Sequence, residues 1–146
     1  KPTCCEAGRN TSSLDMNIRD TLGHEFVEHA RQKVQSVVGS DMGVQAAVLA
    51  TVDGFSVASA VADGSDPERI AALASTIASI GSVATQEAGL GRCSSVILHT
   101  EQGFAVVRQF QRNQVDLVLI LVADGRVLLA QVMYQANAFA KDMVAA

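Results

Sequence analysis

Tryptophan is missing from this 146-residue chain, and one tyrosine and five phenylalanines are the only other large rings. A core must therefore be filled by valine, leucine, isoleucine and alanine. Basic residues are few: eleven Lys and Arg against fifteen Asp and Glu give a net charge of −4. They are scattered along the chain, which excludes a phosphate-tracking surface, so nucleic acid is not an expected partner. Three cysteines, two of them adjacent at Cys4 and Cys5, make no disulfide framework, and no C-x-x-C or Cys/His spacing suggests zinc. A reducing, cytoplasmic location is expected. The G-x-x-x-x-G-K-[ST] phosphate loop is lacking, as is any set of nucleophile, base and orienting residue. Neither an enzyme nor a bound cofactor or metal is expected.

What is present is apolar. Hydrophobic residues make up 49% of the chain and charged ones 18%, enough for one folded domain. Residues 1–13 carry no secretory apolar run and are read as a disordered lead, their cysteine pair as incidental, followed by a single domain over 14–146. The centre of that domain is PERIAALASTIASIGSVATQE, Pro67 to Glu87, with no charged side chain between Arg69 and Glu87. Asp66 suits an N-cap, Pro67 the first helical position and Glu68 the positive end of the dipole, so a helix starts here. At about 100° per residue, Ile70, Leu73, Ala74, Ile77, Ile80, Gly81 and Ala84 share one side, the expected core stripe. Opposite lie Ala71, Ser75, Ala78, Ser79, Ser82 and Gln86, small enough for a second helix to approach closely. Ala and Ser also tolerate water, which is the alternative. A membrane span is excluded by the short length and the Ser, Thr and Gln throughout, and no membrane insertion is expected.

The flanking chain alternates in period. Leu14, Ile18, Leu22, Phe26, Ala30, Val34 and Val37 form a helical stripe that Gly23 is placed to break, with His24 and His29 on the polar side. GVQAAVLATVDGFSVASA reads as two strands around Asp53-Gly54. After the central helix, Arg92 to Thr100, Phe104 to Gln111 and Val115 to Val122 read as three more strands, joined at Glu101-Gln102-Gly103 and Arg112-Asn113-Gln114. Leu117 to Val122 is apolar on both faces, which marks a middle strand covered on both sides. Val127 to Met143 closes the chain as a helix with the stripe Leu128, Val132, Gln135, Phe139 and Met143. Cys93, on the first of these strands, is expected to be a small buried hydrophobe.

The order is helix, two strands, helix, three strands, helix. Such short links force antiparallel neighbours, so the expected fold is α+β: a five-stranded antiparallel sheet with helices on both faces. The first and last helices share one face and the central helix takes the other alone. A helix about 10 Å wide cannot shield five strands spaced about 5 Å apart, so something further must cover that face.

The runs AAVLATVDGFSVASA, DPERIAALASTIASIGSVATQEAGLG, SSVILHTEQGFAVVRQF and DLVLILVADGRVLLAQVM resemble the roadblock / dynein light chain family in its bacterial branch. The resemblance spans about residues 42–141. It implies a homodimer whose edge strand, here Arg92 to Thr100 with Arg92, Ser94, Val96 and Leu98, pairs with its copy into a ten-stranded sheet. The central helices would lie side by side on one face, meeting through Ala71, Ser75, Ala78, Ser79, Ser82 and Gln86. A departure is the loop DGRVLL, where family members often have an NLG-like setting, which leaves the last helix start open. The resemblance further implies a regulator or scaffold for a small Ras-like GTPase or, alternatively, an adaptor joining other proteins irrespective of nucleotide. Arg69, Arg92, Arg108, Arg112 and Arg126 are the candidates for an inserted arginine, and none is singled out. A small-ligand pocket between sheet and helix is a third reading without a convergent polar cluster to support it.

Overall fold

The computed structural model describes residues 22–39, 43–62 and 64–145. The lead at 1–13, Cys4, Cys5, and Leu14 and Ile18 of the first stripe lie outside the described residues. The elements are α1 (His24–Gly39), β1 (Val44–Thr51), β2 (Ser56–Val61), α2 (Pro67–Glu87), β3 (Ser95–His99), β4 (Gly103–Arg112), β5 (Val115–Asp124) and α3 (Leu129–Ala145). The five strands form one antiparallel sheet in the order β2-β1-β5-β4-β3, so β5 is central and β2 and β3 are its edges.

Tight turns set this order. Gly54 supplies the positive φ of 94° at the β1–β2 turn, where the Thr51 amide donates to the Phe55 carbonyl at 2.9 Å. Arg112 pairs directly with Val115, leaving Asn113 and Gln114 as a two-residue turn, both at positive φ. That conformation matches the right-handed twist of the strands it joins.

The sheet has two unequal sides. Leu117, Leu119 and Leu121 of β5, with Leu49, Phe104 and Val106, pack under Phe26, Ala30 and Val34 of α1 and Val132, Ala136, Phe139 and Met143 of α3. Alternate residues Val48, Ala50, Val107, Val118 and Ile120 face Ala71, Ala74 and Ala78 of α2. Two helices thus cover one side and one helix the other, as expected. On the two-helix side Arg112 spreads its guanidinium 4.4 Å over the Phe26 ring and donates to the Met143 carbonyl at 2.9 Å, binding the end of β4 to α1 and α3.

The last helix starts later than expected. Asp124 accepts from the Arg126 amide and from its guanidinium, both at 2.9 Å, and holds the chain in a turn. Leu128 then stands just before the helix, its carbonyl receiving the amides of Gln131 and Val132. It is exposed, and Val127 takes the buried place assigned to it.

His29 of α1 reaches Asp142 of α3 at 2.8 Å, with Lys33 3.4 Å from the same oxygen. Hydrogen bonding to His29, then the positive charge of Lys33, holds the Asp142 carboxyl below the ordinary value of 3.8 against partial desolvation. A lowered carboxylate pKa contributes stability that is present above the unfolded value and is lost as pH falls through the folded one. Stability is therefore expected to decline below about pH 4, and Asp142→Asn to flatten part of that acid limb in urea titrations. An unchanged limb would remove Asp142 as a source. The effect is small because both side chains are more than a third exposed.

Candidate interaction surface

The centre of interest is α2. Its start is built as the residues require: the Asp66 carboxylate accepts from the Glu68 amide at 3.0 Å and Pro67 occupies the first turn. Its rotation about its own axis is the correction. Ala71, Ala74 and Ala78 are buried against the sheet, whereas Leu73 and Ile80, expected in the core stripe, are 56% and 64% exposed, and Val83 is 61% exposed. Ala71 and Ala78 are thus taken by the chain's own sheet and withdrawn from the outward row.

Close approach explains the choice. A Cβ at Gly81 would sit 2.7 Å from the Val96 side chain and 3.2 Å from the Cys93 sulfur. Where a helix lies that low over valine and isoleucine, only small residues fit beneath it. Ser82 and the Ala78 carbonyl also accept from the Gln109 amide group at 3.4 and 3.2 Å, fixing α2 to β4.

Around the helix the surface now divides into three. Ile70 and Ile77 lean down one flank onto the sheet core. Ala72, Ser75, Ser79, Ser82 and Gln86 form the other flank, with Ser75 and Ser82 half-buried and Ser79 and Gln86 exposed. The crest, opposite the sheet, carries Leu73, Thr76, Ile80 and Val83, all exposed, with Arg69 and Glu87 at its ends. Large apolar side chains pointing straight away from their own core mark a surface that another protein covers.

Beside it lies the edge strand β3. It is shorter than expected: Arg92 and Ser94 precede it in an exposed loop, because the chain leaves α2 through Gly89 and Gly91 and reaches ladder geometry only at Ser95. Val96 is half-buried and Leu98 is 40% exposed. Cys93 is buried as expected but ahead of the strand, its thiol donating to the Ser95 carbonyl at 3.5 Å. The outer rim of β3 has no ladder partner among the described residues. The strand carries no Asp, Glu, Lys or Arg that would discourage one.

Two of the five candidate arginines tie distant parts of the fold together, and a third, Arg126, holds its own turn with a side chain that stays exposed. Arg108 donates to Asn137 and to the Ser94 and Gln109 carbonyls, Arg112 to Met143, and Arg126 to Asp124. The side chains of Arg69 and Arg92 make no hydrogen bond or ion pair to another described residue. Among the described residues no His, Cys, Asp and Glu group could hold a metal, and no helix is long and apolar enough to cross a membrane.

Known structures share this architecture. The chain is similar to the gliding protein MglB from Thermus thermophilus (18% identity, 84% of this chain and 90% of that one, TM-score 0.70) and to MglB from Myxococcus xanthus (14%, 84% and 90%, TM-score 0.69). It also resembles a Roadblock/LC7 domain from Streptomyces avermitilis (20%, 77% and 92%, TM-score 0.67). No curated protein sequence matches it. The Roadblock/LC7 domain profile matches residues 31–109, which hold most of α1, the first hairpin, α2, β3 and the start of β4. The chain belongs to the Roadblock/LC7 domain family.

Proposed function

We propose that the chain works as a homodimer that binds a small Ras-like GTPase and regulates or localises it. The observation that carries this is the exposed crest of α2, with Leu73, Ile80 and Val83 standing clear of their own core. The second copy lies beside the helix, along the Ser75, Ser79, Ser82 and Gln86 flank and the β3 edge. There it covers the part of the sheet that one helix leaves bare. The crest then stays outward, free for the GTPase partner that the family resemblance implies.

The test is binding of a Ras-like GTPase from the same cell, loaded with GDP or a GTP analogue, to the wild type and to Ile80→Asp. A charge at the centre of an apolar contact is expected to weaken binding by about tenfold or more while leaving the dimer intact by sedimentation. Unaltered binding would remove the crest from the interface, and no binding by the wild type in either state would end the GTPase reading.

A second reading is a dimeric adaptor that joins other proteins regardless of nucleotide. The commitment of Arg108 and Arg112 to the fold favours it, since fewer arginines remain for transition-state chemistry. Capture of partners that bind equally in GDP and GTP would select this reading.

A further inference from the structure

Arg112 uses only part of its guanidinium in holding the fold. Its Nη1 donates to the Met143 carbonyl at 2.9 Å and its face lies 4.4 Å over the Phe26 ring. The Nε donor is shut away from water and has no acceptor. Nη2, which shares one edge of the guanidinium with Nε, makes no hydrogen bond to another described residue either. A buried donor without an acceptor weakens the structure that contains it, and nearly all such groups in folded proteins find a partner. The clamp between β4, α1 and α3 needs only the stacked face and Nη1, so the Nε–Nη2 edge is spare.

Arg112 forms one wall of a cleft of about 570 Å³, within the size range of small-molecule sites. Leu22 and Phe26 supply apolar lining, and His24, Glu25 and His29 complete it. Gly23, at a φ of 88°, offsets Leu22 from the start of α1, while the two-residue turn after β4 makes Arg112 the last rung of the β4–β5 ladder. Two parallel N–H donors on one guanidinium edge match the two oxygens of a carboxylate. The other charges limit what can enter. Glu25 adds a negative charge to the cleft, and Asp142, bonded to His29 at 2.8 Å, adds another beside it. One negative charge is met by Arg112, whereas a second on the same ligand meets repulsion.

We propose that this cleft binds a small monocarboxylate, its carboxylate on the Nε–Nη2 edge of Arg112 and a short apolar body beside Leu22 and Phe26. A ligand there touches α1 and the end of β4 at once and tightens the contact between them. The site stands on the two-helix side of the sheet, away from α2, and neither the dimer nor the GTPase reading depends on it.

Sodium butyrate is the probe, added to the full chain isotope-labelled for NMR. The Nε–H resonance of Arg112 is expected to shift saturably, with half-saturation at about 1–10 mM for so small a ligand. The Nε–H signals of the exposed Arg69 and Arg92 stay in place. Butyramide, of the same shape without the charge, and inorganic phosphate, with more charge, are expected to bind at least about tenfold more weakly. Arg112→Lys keeps a positive charge and a donor for the Met143 carbonyl but lacks the fork. It is expected to lose about tenfold or more in butyrate affinity by calorimetry, with an unchanged circular dichroism spectrum. Should that variant not fold, the three probes on the wild type decide alone. Absence of a saturable shift at about 50 mM butyrate overturns the site. An equal response to butyramide or phosphate, or equal shifts at every arginine, overturns it as well, since either marks a general effect of solute or salt.

Discussion

Ser79→Arg is expected to convert the proposed dimer to a monomer at micromolar concentration, weakening self-association by at least about a hundredfold. Removing water from a charge without giving it a partner costs about 3–5 kcal/mol, and each copy in the proposed contact would bring one such arginine. The monomer should tolerate the change, because Ser79 is exposed. Sedimentation together with circular dichroism separates the effects: a folded monomer supports the flank as the self-contact. A dimer unchanged by the substitution would show that Ser79 faces solvent, and would leave the crest without a second copy beside it. Ile80→Asp is the complementary probe, one turn face away, where partner binding and not dimerisation should fail.

The sequence makes the order and type of the elements readable because its periods change sharply: apolar residues every three or four positions in α1 and α3, short apolar runs between Asp-Gly and Gly-Phe turns in the strands. Leu117 to Val122 marks itself as central by being apolar at every position, and the structure pairs it on both sides. The phase of α2 is harder to read for the same reason that made the helix conspicuous. Without a charged position between Arg69 and Glu87 a helical wheel has no wet side to orient it, and the side that holds most of the large apolar residues reads as the inward one. The sheet beneath is already lined with valine and isoleucine, so the small side chains Ala71, Ala74 and Ala78 go in, Gly81 comes closest, and Leu73 and Ile80 are turned out. Of the residues assigned to the self-contact, Ser75, Ser79, Ser82 and Gln86 stay on one flank, Ala71 and Ala78 are lost to the core, Val96 and Leu98 lie on the edge strand and Arg92 and Ser94 on the loop before it. The crest was missed altogether. Its signal is in the sequence, as leucine, isoleucine and valine at intervals of seven and three, with Arg69 four residues before them and Glu87 four after, but only burial shows that these face away from the sheet.

Leu119→Ala is expected to be the most damaging single truncation of the monomer. Leu119 is fully buried in the middle of the central strand, paired with Leu49 on one side and Arg108 on the other, beneath both α1 and α3. Removing three carbons forfeits about 2.4 kcal/mol of transfer free energy, and a strand hydrogen-bonded on both edges cannot move to fill the space, so a cavity term brings the cost to about 3–5 kcal/mol. Measured on the wild type, that number would mix folding with association, because a ligand bound only by the folded state, here the proposed second copy, adds to apparent stability with the logarithm of its concentration. The comparison therefore belongs in the Ser79→Arg background, where the protein is expected to unfold as a monomer in a single transition whose midpoint does not depend on protein concentration. Val118→Ala in the same background is the internal standard: it faces the opposite way from the same strand, towards the alanines of α2, and loses fewer carbons. It should cost less than half as much. If the two truncations cost the same, the side beneath α2 is as tightly packed as the side beneath α1 and α3. The need for a second molecule over it would then disappear.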